Sequence, residues 1–431
     1  MSCFFSPIES SRNFLCSIMR PAHILVAVSG GSDSIGLLVS LHSVILEKSF
    51  RDISLSAISI DHGLRDEAKY EAKYVADLCM KLDIPHKVVC WEGKKPKTGL
   101  MAAARESRYD LIYANAMEIG ATIVVTAHTF DDQLETVYMR SQRDFLGKGI
   151  GVAGISNIVL YKMKLWIYRP FLKCRRESIR DFLLKYNISW CDDPSNDDCR
   201  FERVRTRKLI KGIDVNAMFK KIEEFQNWRI LLGDNVSKLI PKYLKVYLQS
   251  VIAISQDVLT IDPFVLSHLL RISVAVCGGQ NYLPGYSAIE RVMSFLKYGK
   301  NGSISVGRVV LDWRLGYLWI TRSTRDLPIQ NVSSGETVIW DGRYKFKNLS
   351  KETIVISSRS CGRKESIFGI PPIVANRAFL SMPSMNGGQP LMAPFSRFLT
   401  GFDLPIAYAF SASFGKKNIP QVPFFYEKYR F

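Results

Sequence analysis

One glycine- and serine-rich hexapeptide has the composition of a phosphate-binding loop: Ser29, Gly30, Gly31, Ser32, Asp33 and Ser34. Glycines let a backbone approach an anion closely, and free amides at a helix N-terminus point at negative charge. Asp33 does not fit a simple anion site, because a carboxylate beside phosphates needs a cation between them. A Mg²⁺ ion bridging Asp33 and the phosphates would meet that need. The chain has no G-x-x-x-x-G-K-[ST] string, which excludes a Walker A loop and leaves an ordinary Gly/Ser turn as the alternative.

Two pairs of like-charged residues are each spaced three apart, which places each pair on one face of a helix. Arg105 and Arg108 could hold a phosphate or a carboxylate through bidentate hydrogen bonds. Asp132 and Glu135 could receive a cationic amine or a metal ion. Each pair could equally be a solvated helix face with surface ion pairs, which is the usual fate of such residues.

The elements that must position these residues alternate between strand and helix over the first 145 residues. The predicted strands are 23–29, 53–61, 87–91 and 122–128, and the predicted helices are 33–48, 66–82, 99–119 and 131–145. Short apolar strands between amphipathic helices predict an α/β fold with a doubly wound parallel sheet covered on both faces. Ligands of such sheets bind at the carboxyl ends of the strands, where segments 29–34, 61–65 and 128–132 lie.

The alternation becomes less regular beyond residue 150. The pattern there predicts an edge strand at 162–170, helices at 175–186 and 201–211, and one or two helices over 216–250 that Pro241 breaks. From about residue 303 the pattern becomes β-like. We therefore predict three domains: 1–215, a mainly helical middle region at 216–300, and a smaller α+β domain at 301–431.

The chain of 431 residues carries a net charge of +18, and this charge is unevenly distributed. Residues 1–150 have a net charge of −1, residues 151–250 of +9 and residues 251–431 of +10. Such an excess favours RNA, DNA or anionic lipid as a partner, with solubility as the alternative. No run approaches the roughly 18 apolar residues of a membrane span, so we expect no membrane partner. The nine cysteines include no C-x-x-C pair, which favours a reducing cytoplasm over a disulfide framework.

The hexapeptide resembles the SGGxDS signature of the PP-loop ATP pyrophosphatases, which bind ATP and split it between the α and β phosphates. Three further segments, 61–65 (DHGLR), 104–109 (ARESRY) and 126–136 (TAHTFDDQLET), follow in an order and spacing similar to those of the tRNA(Ile)-lysidine synthetases. Residues 190–207, with a DDPSN turn and a basic helix, continue this resemblance. The resemblance is strong over about residues 20–215 and weak over the remainder.

The resemblance implies a role for each motif. It implies ATP binding by Asp61, His62 and His128 together with the hexapeptide, lysine binding by Arg108, Asp132 and Glu135, and tRNA binding by Arg203, Arg205 and Arg207. Asp33 joins Arg108, Asp132 and Glu135 as a catalytic residue, with Mg²⁺ at Asp33. Either histidine could instead be a general base or a capped strand end, and we assign neither a proton-transfer role.

The implied reaction joins free L-lysine to C2 of the wobble cytidine of a CAU-anticodon isoleucine tRNA, with ATP converted to AMP and pyrophosphate. Domain 1–215 would then be catalytic, the two basic regions would bind tRNA, and no protein partner is evident, although a homodimer stays open. The chain departs from the family pattern at His128-Thr129, Arg140-Ser141 and Arg203-Val204. The alternatives are a PP-loop tRNA thiolation enzyme, an amide-forming ligase, and a non-catalytic RNA-binding module.

Overall fold

The computed structural model describes residues 4–64, 67–93, 95–143, 150–192, 200, 202–299, 301–361, 369–415 and 419–425. The chain divides into two compact units, the first formed by Met1–Arg229 with Gln421–Phe431 and the second by Ile230–Pro420. The first unit thus extends past the expected boundary at residue 215. The division into three domains stays a prediction.

The first unit contains a six-stranded arrangement surrounded by helices. Its strands are β1 (Ala22–Ala27), β2 (Ile53–Asp61), β3 (His86–Cys90), β4 (Ile123–Val125), β5 (Ile158–Tyr161) and β6 (Leu165–Tyr168). Its helices are α1 (Pro7–Ser17), α2 (Ser32–Ile45), α3 (Glu67–Lys81), α4 (Leu100–Glu118), α5 (Phe130–Arg143), α6 (Arg176–Lys185), α7 (Glu202–Leu209) and the first part of α8 (Val215–Tyr243). The strands lie in the order β5-β6-β4-β1-β2-β3, all parallel except β5.

The central strand β1 shows why this sequence forms a parallel sheet and where the sheet can bind a ligand. Ile24, Leu25 and Val26 of β1 are fully buried, as expected for a parallel strand with helices on both faces. Strands β2 and β3 follow β1 on one side, whereas β4 lies on its other side. The connections therefore change direction at β1, and the loop after β1 lies at the switch point where such folds bind ligands. The prediction of a doubly wound parallel sheet is confirmed.

The expected edge strand at 162–170 is wrong in position. The strand is Leu165–Tyr168, and it lies between β4 and β5 rather than at an edge. Its four residues are all buried, because neighbouring strands flank it on both sides. Pro170 belongs to a short 3₁₀ helix after the strand, so it removes no hydrogen bond from the sheet and does not mark an edge. The pairing strand β5 was not predicted.

The C-terminal segment returns to the first unit. The backbone amide of Met19 donates to the Pro423 carbonyl (2.9 Å), and the amide of Phe425 donates to the Ser17 carbonyl (3.0 Å). Phe424 is only 1% exposed, and its ring lies 4.9 Å from that of Tyr168. These residues therefore complete the hydrophobic core of the first unit.

The second unit is built on an antiparallel sheet of order β7-β8-β11-β10-β9. Its strands are β7 (Leu244–Tyr247), β8 (Val251–Ser255), β9 (Gly302–Val306), β10 (Val309–Arg314), β11 (Tyr317–Arg322), β12 (Gln330–Val332), β13 (Thr337–Trp340), β14 (Tyr344–Lys347), β15 (Ile354–Ile356), β16 (Gln389–Pro390) and β17 (Phe398–Thr400). Its helices are α9 (Pro263–Gly278), α10 (Tyr286–Lys297), α11 (Pro372–Leu380) and α12 (Leu404–Ser413), and α8 ends in it.

The α+β character of the C-terminal region is confirmed, with two corrections upstream. Strands β7 and β8 lie within the part expected to be helical and pair with each other and with β11. Pro241 does not divide the helix in two, since it lies in the last turn of α8, which ends two residues later at Tyr243. Among the described helices of both units, none combines the length and the apolar composition needed to span a bilayer.

Candidate active site

The hexapeptide forms the turn between β1 and α2. Gly30 has a φ of +81°, which favours glycine, and Gly31 is the N-cap of α2 and supplies no side-chain acceptor to the first-turn amides. Ser34 closes the loop, because its hydroxyl accepts from the Ser29 amide (3.1 Å) and donates to the Gly31 carbonyl (3.0 Å). The turn thus presents a helix N-terminus and serine hydroxyls at the switch point of the sheet, which is an arrangement suited to phosphate.

Asp132 and Glu135 lie at the start of α5, and both are buried. Asp132 is 7% exposed, and its Oδ2 accepts hydrogen bonds from the amide (2.8 Å) and the hydroxyl (3.1 Å) of Thr129. Glu135 is fully buried, and its Oε2 has no hydrogen-bond partner among the described residues. A solvated helix face is therefore excluded for this pair, and an unpaired buried carboxylate oxygen is costly unless a ligand reaches it.

Arg176, the first residue of α6, connects the phosphate loop to this carboxylate pair. Its Nε donates to Asp33 Oδ2 (2.9 Å) and its Nη2 to Asp132 Oδ1 (3.4 Å), while Nη1 lies 3.8 Å from Glu135 Oε1. One guanidinium thereby contacts three carboxylates. Arg176 was not predicted as a site residue, because nothing in its spacing relates it to residues more than 40 positions away.

Burial and neighbouring charges shift the pKa values of these carboxyls in different directions. Burial raises the pKa of Asp33 and of Glu135, although Arg176 and Arg207 respectively act to lower them. For Asp132, burial is outweighed by Arg176 and the Thr129 amide, so that the pKa is lowered. Asp132 is consequently the firmly ionised member of the pair, and Glu135 is the member that holds a proton more readily.

Helix α7 brings two of the expected tRNA-binding residues to the same carboxylates. Arg207 Nε donates to Glu135 Oε1 (2.5 Å), and Arg203 Nη1 lies 3.9 Å from Asp132 Oδ1. Arg205 instead donates to the backbone carbonyl of Arg200 (2.8 Å). Of the expected DDPSN turn, residues 193–196 lie outside the described residues. The role of the three arginines in tRNA binding stays a prediction.

Arg108 and Arg140 both lie near Arg105 and Arg203, and Arg105, Arg108 and Arg140 form no ion pair among the described residues. Arg105 lies over the Tyr109 ring, 5.1 Å from its centroid. Arg108 forms no ion pair among the described residues, and loss of hydration together with the positive charges of Arg105 and Arg203 lowers its pKa, against the opposing effect of Tyr109. The pKa of Arg140 is likewise lowered by burial and by the positive charges of Arg203 and Arg105. This local excess of positive charge attracts an anion.

The histidines and Asp61 lie at the ends of β2 and β4, as predicted. Asp61 Oδ1 accepts from the Gly63 amide (2.7 Å), and both ring nitrogens of His62 are buried without a partner among the described residues. His128 Nδ1 lies 3.0 Å from the Thr126 hydroxyl. Burial and Arg169 lower the pKa of His128 to about 3, which keeps its ring neutral at physiological pH.

Comparisons with known proteins show which family this chain resembles. A PP-loop domain model matches residues 8–213. A tRNA(Ile)-lysidine synthase, as the synthetases are also called, from Rhizobium meliloti (strain 1021) is 37% identical over 445 residues, which cover 96% of this chain and 97% of that protein. The chain belongs to the tRNA(Ile)-lysidine synthase family.

Two further members of the family support the assignment. The protein of the same name from Mesorhizobium japonicum is 33% identical over 93% of this chain and 94% of its own length. The one from Bartonella henselae is 29% identical over 80% of each. The family consists of tRNA-modifying ligases, and its PP-loop domain binds ATP.

Proposed function

We propose that this chain joins the ε-amine of L-lysine to C2 of the wobble cytidine of a CAU-anticodon isoleucine tRNA, forming lysidine and releasing AMP and pyrophosphate. The observation that carries the proposal is the buried pair Asp132 and Glu135 beside the phosphate loop. A buried carboxylate oxygen without a partner among the described residues suits a cationic amine, and the adjacent loop suits the phosphates of ATP. We assign the reaction to the cytoplasm, where tRNA and ATP meet.

In the first step, the C2 carbonyl oxygen of the cytidine attacks the α-phosphorus of ATP, and the bond to the pyrophosphate oxygen breaks. The amides at the start of α2 and the loop hydroxyls hold the phosphates, and Arg108 offers a guanidinium that no described carboxylate pairs with. These groups stabilise the charge that develops at the α-phosphate.

The residues around Asp33 fit a magnesium ion held partly by substrate. Asp33 Oδ1 contacts only the Ser32 hydroxyl among described residues (3.4 Å), and no group of three or more described His, Cys, Asp or Glu side chains forms a cage around a metal. Mg²⁺ takes one or two carboxylates together with substrate phosphates, a set to which Asp33 would contribute. When bound, it would neutralise phosphate charge.

In the second step, the lysine ε-amine attacks C2 of the adenylated ring, and AMP leaves with the former carbonyl oxygen. The amine must lose its proton, and a carboxylate of the pair accepts it. Asp132, whose pKa is lowered, would hold the ammonium form of the incoming lysine, and the unpartnered Glu135 oxygen offers a second contact. We propose that Arg108 assists at the reaction centre.

The tRNA would be bound by the basic regions that follow residue 150, including Arg203, Arg205 and Arg207. Neutralisation of phosphates by Lys and Arg releases counterions, so the affinity for tRNA should fall steeply with salt. We expect the logarithm of the association constant to decrease linearly with the logarithm of the salt concentration.

The test is incubation of the purified protein with ATP, Mg²⁺ and ¹⁴C-lysine, using unmodified CAU-anticodon isoleucine tRNA. We expect one lysine per tRNA and stoichiometric AMP, and no label on the same tRNA with the wobble cytidine replaced by uridine. Methionine tRNA, which also carries CAU, shows whether features outside the anticodon are read. Sulfur incorporation from a sulfur donor, without any lysine, would show instead a thiolation enzyme and overturn the proposal.

A further inference from the structure

Arg176 is the one side chain in the described part of the first unit that contacts both Asp33 and the carboxylate pair. Its contacts to Asp33 (2.9 Å), Asp132 (3.4 Å) and Glu135 (3.8 Å) use three different nitrogens of one planar guanidinium. Because the group is rigid, moving one of its nitrogens moves the other two. The side chain is 22% exposed and its partners less, so water screens these ion pairs only weakly.

The backbone of Arg176 is held as firmly as its side chain. Its amide donates to Asp131 Oδ2 (2.8 Å), and the same carboxylate pairs with Arg175 (3.2 Å), so that adjacent aspartates of α5 anchor the backbone and the side chain of α6. On the opposite side, α6 packs closely on α2 at Gly36, where a Cβ atom would lie 2.3 Å from Ile179 Cγ2. The guanidinium therefore starts from a fixed point and cannot follow one carboxylate freely.

We infer that Arg176 is a positioning residue that couples the phosphate loop to the amine site. This inference depends on the proposed function, since it takes Asp132 and Glu135 as the lysine site. Asp33 shares the guanidinium of Arg176 with Asp132 and Glu135. The charge of these two carboxylates is therefore neutralised less completely, and they can attract a substrate ammonium. When the charge of Asp33 is removed, the guanidinium interacts more strongly with Asp132 and Glu135 and competes with lysine for them.

The experiment is a double-mutant cycle on lysine binding, measured by isothermal titration calorimetry with the full chain and without nucleotide or metal. The variants are Asp33→Asn, Arg176→Met and the two together. We expect Asp33→Asn to raise the lysine Kd about fivefold or more in the unsubstituted background, although Asp33 lies outside the lysine site. In the Arg176→Met background the same change should alter the Kd less than about twofold, because the connecting group is gone.

Two further variants separate coupling from a structural role. Arg176→Lys keeps the positive charge but not the planar group with three nitrogens. We therefore expect this variant to fold and to lose most of the coupling. Arg175→Lys changes the neighbouring arginine, which pairs with Asp131 rather than with the three carboxylates, and should keep the fivefold effect of Asp33→Asn. If Arg176→Met does not fold, the cycle is completed with Arg176→Lys.

The outcomes distinguish this inference from the proposed function. If lysine binds but Asp33→Asn changes the lysine Kd equally in every background, the coupling role is overturned and the proposed function is left intact. The same conclusion follows if Asp33→Asn does not change the lysine Kd of the unsubstituted protein. No lysine binding to the unsubstituted protein overturns both. A loss of the Asp33→Asn effect only in the Arg176 backgrounds supports the inference, because a merely structural residue would change lysine affinity without changing its dependence on Asp33.

Discussion

Asp132 and Glu135 show how the same spacing on a helix can have two outcomes. A pair of carboxylates three residues apart on α5 could have faced solvent, but the structure buries both beneath α6 and α7, where Arg176, Arg203 and Arg207 balance their charge. Glu135 is paired at Oε1 only, and its buried Oε2, which has no partner among the described residues, carries a desolvation cost that a ligand ammonium offsets in part. The pair therefore favours a cation of the right size over water.

Replacing Asp132 by Asn should weaken lysine binding while leaving the nucleotide site intact. Asn keeps the size and one acceptor oxygen but removes the charge that holds the ammonium. We expect the lysine KM to rise about tenfold or more, with ATP affinity changed less than about threefold, as measured by steady-state kinetics and nucleotide binding. Glu118→Gln, an exposed acid at the end of α4, is the matched control and should change neither. Loss of ATP binding in Asp132→Asn would contradict the assignment.

His128 should make stability depend on pH. Its pKa is lowered to about 3 in the folded protein by burial and Arg169, whereas an unfolded chain has a histidine pKa of about 6.5. The unfolded state therefore binds an extra proton between these values. The stabilisation is fully present above pH 6.5 and is lost as the pH falls towards 3.

The variant His128→Gln tests this dependence, since Gln retains a group that can bond to Thr126 but does not titrate. Between pH 7 and pH 5, we expect the free energy of unfolding to fall by about 2 kcal/mol less in the variant than in the unsubstituted protein. Urea unfolding at the two pH values gives the comparison. An identical fall in both proteins would mean that His128 is protonated in the folded state.

At this scale the sequence predicted the residues that lie close together along the chain. The hexapeptide, Asp132 and Glu135 could be named because glycine, serine and carboxylate patterns carry local information. Arg176 could not, because its contacts depend on how α6 packs against α2 and α5, and a single arginine at the start of a helix resembles any other. Its role is a property of tertiary packing.

Among the elements, α2 and α6 approach each other more closely than ordinary helices because Gly36 has no side chain. A Cβ at this position would lie 2.3 Å from Ile179 Cγ2 and 3.9 Å from Phe171. Since Asp33 lies in the first turn of α2 and Arg176 is the first residue of α6, the close packing of the two helices also sets the distance between those side chains. The glycine at position 36 is thus explained by the site at the N-terminal end of α2, which requires α6 to pack closely against this helix.

Gly36→Ala should destabilise the protein even though Ala favours a helix by about 1 kcal/mol over Gly. The methyl group forces α6 away from α2, and we expect a net loss of about 2 kcal/mol in the free energy of unfolding, measured by urea titration. Gly285→Ala is the control, because a Cβ there meets nothing within 4 Å, and its effect should stay below about 1 kcal/mol. An increase in stability on Gly36→Ala would contradict the predicted clash.

The strand pattern shows where element prediction fails. The strands β1 to β4 alternate with helices, and this alternation predicted a parallel sheet but not the order of its strands. Strands β5 and β6 of four residues each form a hairpin without a helix between them. Residues 162–164 join them, and Lys162 and Met163 in this turn have positive φ. Short hairpins with an irregular turn carry a weak signal, and the proline that follows β6 indicated the wrong position in the sheet.

For the whole molecule, the uneven charge noted in the sequence has a physical explanation. The first 150 residues, with a net charge of −1, contribute the loop and the carboxylate pair that would bind a cationic amine, and a general excess of positive charge there would oppose that binding. The basic residues after position 150 are left to attract a polyanion. Lysine and tRNA, two of the three substrates proposed for this protein, thus require opposite local potentials in one chain.

Phe424 tests the dependence of the first unit on the end of the chain. Phe424→Ala removes a ring that is 1% exposed and packs against Phe14 and Tyr168, and we expect a loss of about 3 kcal/mol in the free energy of unfolding. The adjacent Phe425, which is 49% exposed, is the control, and its change to Ala should cost less than about 1 kcal/mol. Equal effects in urea unfolding would show that the segment does not support the core.

The return of residues 421–425 to the first unit also has a consequence for synthesis. A ribosome makes the phosphate loop, the carboxylate pair and Arg176 early, but Phe424 leaves the tunnel only after the whole second unit has been made. Until then Phe14 and Tyr168 lack the aromatic side chain that covers them. A copy cut short by a stop codon within the second unit therefore carries every proposed catalytic residue on a first unit with an uncovered apolar surface, which chaperones and proteases recognise. Synthesis of residues 421–425 is in this way linked to survival of the first unit.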